Sequence, residues 1–162
     1  MRLSDAVVQA SVWPDARTFF EAVGRAVDAI ARIDEQLMFG IEGVTRKPGM
    51  GPRPVTGDPT ASAALFAETA REKLADLRAR RESMELTVGA GLAVIEGVRV
   101  GLGERYAVVL DARHVDRLTW DECADRAGVS KMTAIRDALT AYEWIDSVGW
   151  RRAIEGRGNA ER

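Results

Sequence analysis

The chain has 162 residues, of which 46% are hydrophobic and 30% are charged, so it can bury a core and is not a disordered composition. Its 23 basic and 25 acidic side chains give a net charge of -2, which provides no general attraction to nucleic acids. A single cysteine excludes both an internal disulfide framework and a cysteine-based metal site. There is no signal-peptide pattern and no run of about 18 apolar residues, so we expect a cytoplasmic protein without a membrane partner.

The first long helix is predicted over residues 14–42, after a short lead formed by residues 1–13. Pro14 suits the first turn, because that position needs no backbone N–H, and Gly43 is expected to end the helix. The apolar side chains recur at steps of three and four residues, which places them on one face. They are Phe19, Phe20, Val23, Val27, Ile30, Ile33, Leu37 and Ile41.

Glycine and proline are frequent in residues 43–57, which are predicted to form a linker. Asp58 and Pro59 then provide a helix start, and a near-heptad apolar pattern predicts a second long helix up to Leu102, with Gly103 as its cap. Gly89 and Gly91 favour a kink or break near residue 90, because each glycine costs ~1 kcal/mol in a helix relative to alanine.

A helix of about 44 residues would be about 66 Å long, which is more than a small core can cover. It must therefore pack against the first helix, against another chain, or against both. We expect residues 1–103 to form a long antiparallel helical hairpin that mediates oligomerisation, as a homodimer or a higher oligomer.

Three further helices are predicted in residues 104–162, over 104–115, 120–127 and 131–148. Thr119 and Glu122 have the spacing of a capping box at the start of the middle helix. Gly128 permits a left-handed turn after it, Val129 can enter the core, and Ser130 can cap the last helix. The last helix is expected to turn five side chains inward, and residues 149–162 are expected to form a frayed tail. The five are Ile135, Ala138, Leu139, Tyr142 and Ile145.

A small residue at Ala124, a glycine turn and a capped second helix are typical of a helix-turn-helix, whose second helix can enter the major groove of DNA. The overall expectation is thus an all-α fold, with the hairpin followed by a helix-turn-helix DNA-binding domain in residues 104–162. Arg105 and Arg113 are further candidates for phosphate contacts. The main candidate DNA-binding residues are Lys131, Met132, Thr133, Arg136, Arg126 and Ser130.

The charge of this region counts against DNA binding, because residues 104–162 hold ten basic and eleven acidic side chains. Enzymatic activity is not expected, since the lone His114 has no ligand or catalytic partner at a suitable spacing. His114 is expected to be a residue without a chemical role, and no cofactor is predicted.

Several short motifs follow one another in the second half of the chain: "RY" before an apolar helix, "LTWDE", "AGVS" and "EWID", preceded by "DPTASAA" and "VIEG". Together they resemble the motifs of phage transcriptional regulators of the RinA and ArpU type. The resemblance covers residues 58–146, and the DNA-binding half of these regulators is similar to region 4 of bacterial sigma factors. It implies a phage or prophage regulator that reads promoter DNA, with RNA polymerase as a further candidate partner.

Two positions depart from the pattern of these regulators. Ala134 stands where a buried branched residue is usual, and Asp137 where a second apolar residue is expected. The helix is then either rotated, with Ile135 and Ala138 inward, or its core is thin. Two other functions remain open, namely a DNA-packaging protein of the small-terminase type and a helical protein-binding scaffold.

Overall fold

The structure is a computed structural model that describes residues 2–45 and 59–158, with side chains described for residues 2–39 and 67–158. Over these ranges the chain is helical and contains no strand, which confirms the prediction of an all-α protein. The elements are α1 (Leu3–Ser11), α2 (Ala16–Thr45), α3 (Pro59–Gly101), α4 (Glu104–Leu110) continued by a π-helical turn (Asp111–Val115), α5 (Trp120–Ala127), α6 (Lys131–Val148) and α7 (Trp150–Ile154).

The prediction of a non-helical lead before residue 14 is wrong. Helix α1 occupies most of it and packs on α3 and α7. Its buried residues are the small Ala6 and Ala10, which permit close packing but give only a weak apolar pattern.

Helix α2 begins at Ala16, two residues later than predicted. The side chain of Asp15 accepts a hydrogen bond from the backbone N–H of Thr18 at 2.7 Å, as an N-cap does, so Pro14 lies before the helix. The helix continues through Gly43 to Thr45. The helix thus covers residues 43–45 of the predicted linker. The rest of the linker, residues 46–57, and the predicted cap Asp58 lie outside the described residues.

Helix α3 is unbroken across Gly89 and Gly91, so the predicted break is absent. A Cβ atom at Gly91 would lie 2.8 Å from a methyl group of Val23, and the glycine thus allows α2 and α3 to approach closely. Farther along α2, Asp34 binds Arg81 at 2.6 Å. The later residue of α2, Asp34, thus contacts an earlier residue of α3 than Val23 does, so the two helices run antiparallel.

Residues 149–158 are not a frayed tail, contrary to the prediction. They include α7, which packs on α3 so closely that a Cβ atom at Gly97 would overlap the carbonyl oxygen of Ala153. The ring of Trp150 meets that of Phe19 edge to face, with centroids 5.1 Å apart. Helix α7 thus packs where the start of α2 lies beside the end of α3.

One hydrophobic core includes residues from both sides of Gly103. Its larger members come from α2, α3, α4 and α6. The C-terminal helices therefore pack against the start of α2 and the end of α3. None of the described helices is long and apolar enough to cross a membrane. The largest buried core side chains are Phe19, Phe20, Leu110, Ile145, Val23, Val94, Val98 and Val109.

Candidate nucleic-acid interface

The corner between α5 and α6 is built by local capping, and both helices have the predicted bounds. Thr119 and Glu122 form a complete capping box, in which the backbone N–H of Thr119 donates to the Glu122 carboxylate at 2.8 Å. Gly128 ends α5 with a φ of 66°, in the left-handed region that favours glycine. Ser130 caps α6 by accepting from the backbone N–H of Thr133 at 3.2 Å.

Small residues let α5 and α6 meet closely. Ala124 on α5 is buried, as the sequence predicts, and Ala134 and Ala138 on α6 are buried as well. Val129 in the corner is half-buried and packs against the core. The direction of α6 relative to α5 is therefore fixed by packing as well as by the turn.

The buried face of α6 differs from the predicted one. Leu139 is 45% exposed rather than inward, and Ile135 is only half-buried. Ala134 and Asp137 turn inward instead, with Asp137 only 4% exposed. Helix α6 is therefore not rotated to bring Ile135 inward. Ala134 packs in the core, and the place of the expected second apolar residue is taken by Asp137, which forms an ion pair.

This ion pair joins Asp137 to Arg105 on α4. The guanidinium Nε lies 2.7 Å from one carboxylate oxygen, and an NH2 group donates to the other at 3.1 Å. The hydrogen bond and the charge of Asp137 raise the pKa of Arg105. Arg105 thus neutralises a buried carboxylate, which removes it from the candidates for a phosphate contact and keeps Asp137 away from the outer surface.

Opposite the buried face, α6 presents an outward ridge formed by Met132, Arg136, Leu139 and Glu143. These positions follow one another at steps of three or four residues and are all exposed. Met132 is 65% exposed in the first turn. Arg136 follows one turn later, and its guanidinium has no hydrogen bond or ion pair with any residue whose side chain is described.

Two other candidate cations are held by carboxylates of neighbouring elements. Lys131 binds Asp121 at the start of α5 at 2.9 Å. Arg126 forms an ion pair with Asp116, which follows the π-helical turn. Both pairs are exposed enough for water and ions to reach them, so their net contribution to stability is small and the cations can exchange partners.

The remaining candidates have structural contacts at the start of α6 and beside α5. The hydroxyl groups of Thr133 and Ser130 lie 2.8 Å apart, which engages both in the helix cap. Arg113 donates to the carbonyl oxygen of Leu118 at 2.8 Å and covers the ring of Trp120 at 5.0 Å. Among the candidate residues, Arg136 is therefore the cation that has no polar partner among the described side chains, and Met132 is the apolar side chain that is largely exposed.

Arg117, between the π-helical turn and α5, makes two contacts with α2 that have no periodic signal in the sequence. Arg117, with a φ of 58°, binds Asp28 of α2 through two hydrogen bonds of 3.0 and 2.9 Å. The guanidinium also lies against Gly24, where a side chain would collide with it. The one sequence feature that could indicate this contact is the placement of Gly24 one turn before Asp28 on α2.

His114 lies in the core between α2 and α6. Its Nε2 atom is 2.6 Å from the hydroxyl of Tyr142, and its ring stacks at 5.2 Å from that of Phe20. Burial, aided by the charges of Arg113 and Arg117, lowers the pKa of His114 to about 4. The imidazole is therefore buried and neutral near pH 7.

Comparison of the chain with profiles of known protein families, with curated proteins and with solved structures gives no significant match.

Proposed function

We propose that the protein is a DNA-binding transcriptional regulator that reads promoter DNA with α5, the Gly128 corner and α6 acting as a helix-turn-helix. The observation that carries this proposal is the free start of α6. Met132 and Arg136 lie on its outward ridge, opposite the packed face, and the guanidinium of Arg136 has no partner among the described side chains. A phage or prophage origin is supported by the motif resemblance alone.

The charges along the ridge set the direction of insertion. Glu143 lies eleven residues beyond Met132, about 16 Å farther along the helix axis. A carboxylate inside the groove would be repelled by phosphates, so α6 would enter the major groove with its N-terminal end first. Asp137 does not oppose this arrangement, because it is turned into the protein and paired with Arg105.

Few cations are available for binding, and this limits affinity. Lys131 and Arg126 would have to leave Asp121 and Asp116 to bind phosphates, an exchange that is permitted by the exposure of both pairs. We therefore propose moderate affinity for a single site, with tight binding achieved through two half-sites or through RNA polymerase as a partner.

The direct test is a titration of duplex DNA by fluorescence anisotropy with Arg136→Ala and a matched control. Arg25→Ala removes another exposed arginine, which lies on α2 outside α5 and α6 and has no ion pair with a described side chain. We expect Arg136→Ala to weaken binding about tenfold, as for loss of a good base contact, and Arg25→Ala to change it by less than about twofold. Equal affinities for the two variants, or no binding by the parent at low salt, would contradict the proposal.

We also propose that the protein self-associates through its arm, defined as residues 27–45 of α2 and 59–88 of α3. The apolar side chains described there are half-buried or exposed, whereas Phe19 and Phe20 at the start of α2 are fully buried. A pair of helices cannot cover both of its apolar faces, and a second copy would do so. The half-buried residues are Val27, Ile30, Ile33, Leu37, Leu74, Leu77, Met84 and Val88.

Light scattering measures this association. We expect twice the 17.7 kDa mass of one chain. A mass of one chain at micromolar concentration would contradict the arm as an association surface. Rings of about eight or more copies would favour the packaging function over regulation.

A protein-binding scaffold is the second candidate function. It is favoured by the exposure of Met132 and Leu139, which lie on the same ridge and could enter an apolar groove of another protein. Binding of duplex DNA at low salt distinguishes the two functions, because a scaffold would show none.

A further inference from the structure

We propose that Met132 recognises the 5-methyl group of a thymine, on a base pair next to a guanine bound by Arg136. This inference rests on the proposed function and assigns a base preference to the site. It starts from an unusual placement, since the first turn of α6 carries a long apolar side chain that is 65% exposed to water.

The chemistry of methionine restricts what it can recognise in the major groove. A thioether has no hydrogen-bond donor and is only a weak acceptor, so it cannot read the polar edges of the bases. The thymine methyl is the apolar group that an unmodified base pair presents there. The flexible, polarisable side chain of methionine adapts well to such a contact.

The neighbouring side chains leave few alternatives for base reading. Thr133 and Ser130 are engaged with each other in the helix cap, and Lys131 is paired with Asp121. Leu139 lies seven residues beyond Met132, about 10 Å along the helix, next to the acidic Glu143. Met132 and Arg136 are thus the two described side chains of α6 that are both free and close to its N-terminal end.

The spacing of the two residues sets the spacing of the two bases. They are four residues apart, so their side chains lie side by side on one face of the helix. Residues three or four apart on a helix in the major groove contact neighbouring base pairs. Arginine binds guanine through two hydrogen bonds to O6 and N7. Each half-site is therefore expected to contain a thymine and a guanine on neighbouring base pairs.

Replacement of thymine by deoxyuridine tests the inference, because it removes the methyl group and preserves base pairing. In the duplex that the parent selects, each thymine of the half-site is replaced in turn. We expect one replacement to weaken binding of the parent about fourfold, as for loss of one methyl-sized apolar contact. The same replacement should not affect Met132→Ala, and Met132→Leu should retain the sensitivity of the parent.

The outcomes separate this inference from the proposed function. If every deoxyuridine duplex binds the parent as the thymine duplex does, while Arg136→Ala still weakens binding, the thymine contact is wrong and the regulator proposal stands. If the sensitive position remains sensitive in Met132→Ala, another residue contacts the methyl group and the inference is overturned. Absence of any duplex binding by the parent would overturn both. Thermal unfolding controls for folding, and Met132→Ala should unfold at the temperature of the parent because the side chain is exposed.

Discussion

Replacing Arg105 with methionine is expected to destabilise the protein more than replacing Asp137 with leucine, although the two residues form one ion pair. Without its partner, the Asp137 carboxylate would remain buried and unpaired, which costs about 3 kcal/mol of unfolding free energy. Arg105 is about half-exposed, so it regains water when the aspartate is removed. Leucine at position 137 would also fill the apolar position that Asp137 now occupies between α4 and α6.

Urea unfolding of the two single variants and the double variant measures this asymmetry. The double variant Arg105→Met with Asp137→Leu should recover most of the stability lost in Arg105→Met, because no unpaired charge remains in the core. If Arg105→Met unfolds at the same urea concentration as the parent, the pair does not hold α6 against α4 as described.

Acidification from pH 7 to pH 4 is expected to reduce stability by about 3 kcal/mol through His114 alone. Burial, with the charges of Arg113 and Arg117, lowers the pKa of this imidazole from its ordinary 6.5 to about 4 in the folded protein. Below pH 6.5 the unfolded chain therefore binds a proton that the folded protein does not. The loss begins near pH 6.5 and levels off below pH 4, where the imidazole of the folded protein becomes protonated as well.

The variant His114→Gln isolates this contribution. Glutamine cannot titrate but can still bond to the hydroxyl of Tyr142, and the capping carboxylates Asp15 and Glu122, whose pKa values are lowered by their hydrogen bonds, are present in both proteins. The difference in unfolding free energy between parent and variant should therefore change by about 3 kcal/mol between pH 7 and pH 4. Parallel stability curves over this range would show that the imidazole is not buried in its neutral form.

The sequence predicts the α5–α6 corner accurately because the signals that build it are local. The Thr119–Glu122 capping box, Gly128 and Ser130 each fix a helix end within three or four residues, and the bounds of both helices agree with the structure. The length of α3 is also predicted within two residues, since Pro59 and Gly103 are strong punctuating residues.

Features that depend on distant contacts could not be predicted in this way. Asp137 is a polar residue by pattern and becomes buried only because Arg105, 32 residues away, neutralises it. The exposure of Leu139 follows from the same change of face. Helices α1 and α7 are held by small residues against α3, and alanines and glycines carry little periodic signal.

The restricted charge of the candidate site also emerges only from the structure. Lys131 and Arg126 have the spacing of DNA-contacting residues, yet each is paired with an aspartate ten residues away in the sequence. Because these two cations are neutralised by aspartates, α5 and α6 present less positive charge than their sequence indicates. Arg136 is distinguished from them only by the absence of such a partner among the described side chains.

Selection of bound sites from random duplex DNA, carried out with the parent and with a double variant of Lys131→Ala and Arg136→Ala, tests most directly whether the start of α6 reads DNA. We expect the parent to enrich a short motif containing adjacent thymine and guanine and the double variant to lose it. Recovery of unenriched DNA by both proteins, or of the same motif by both, would contradict it.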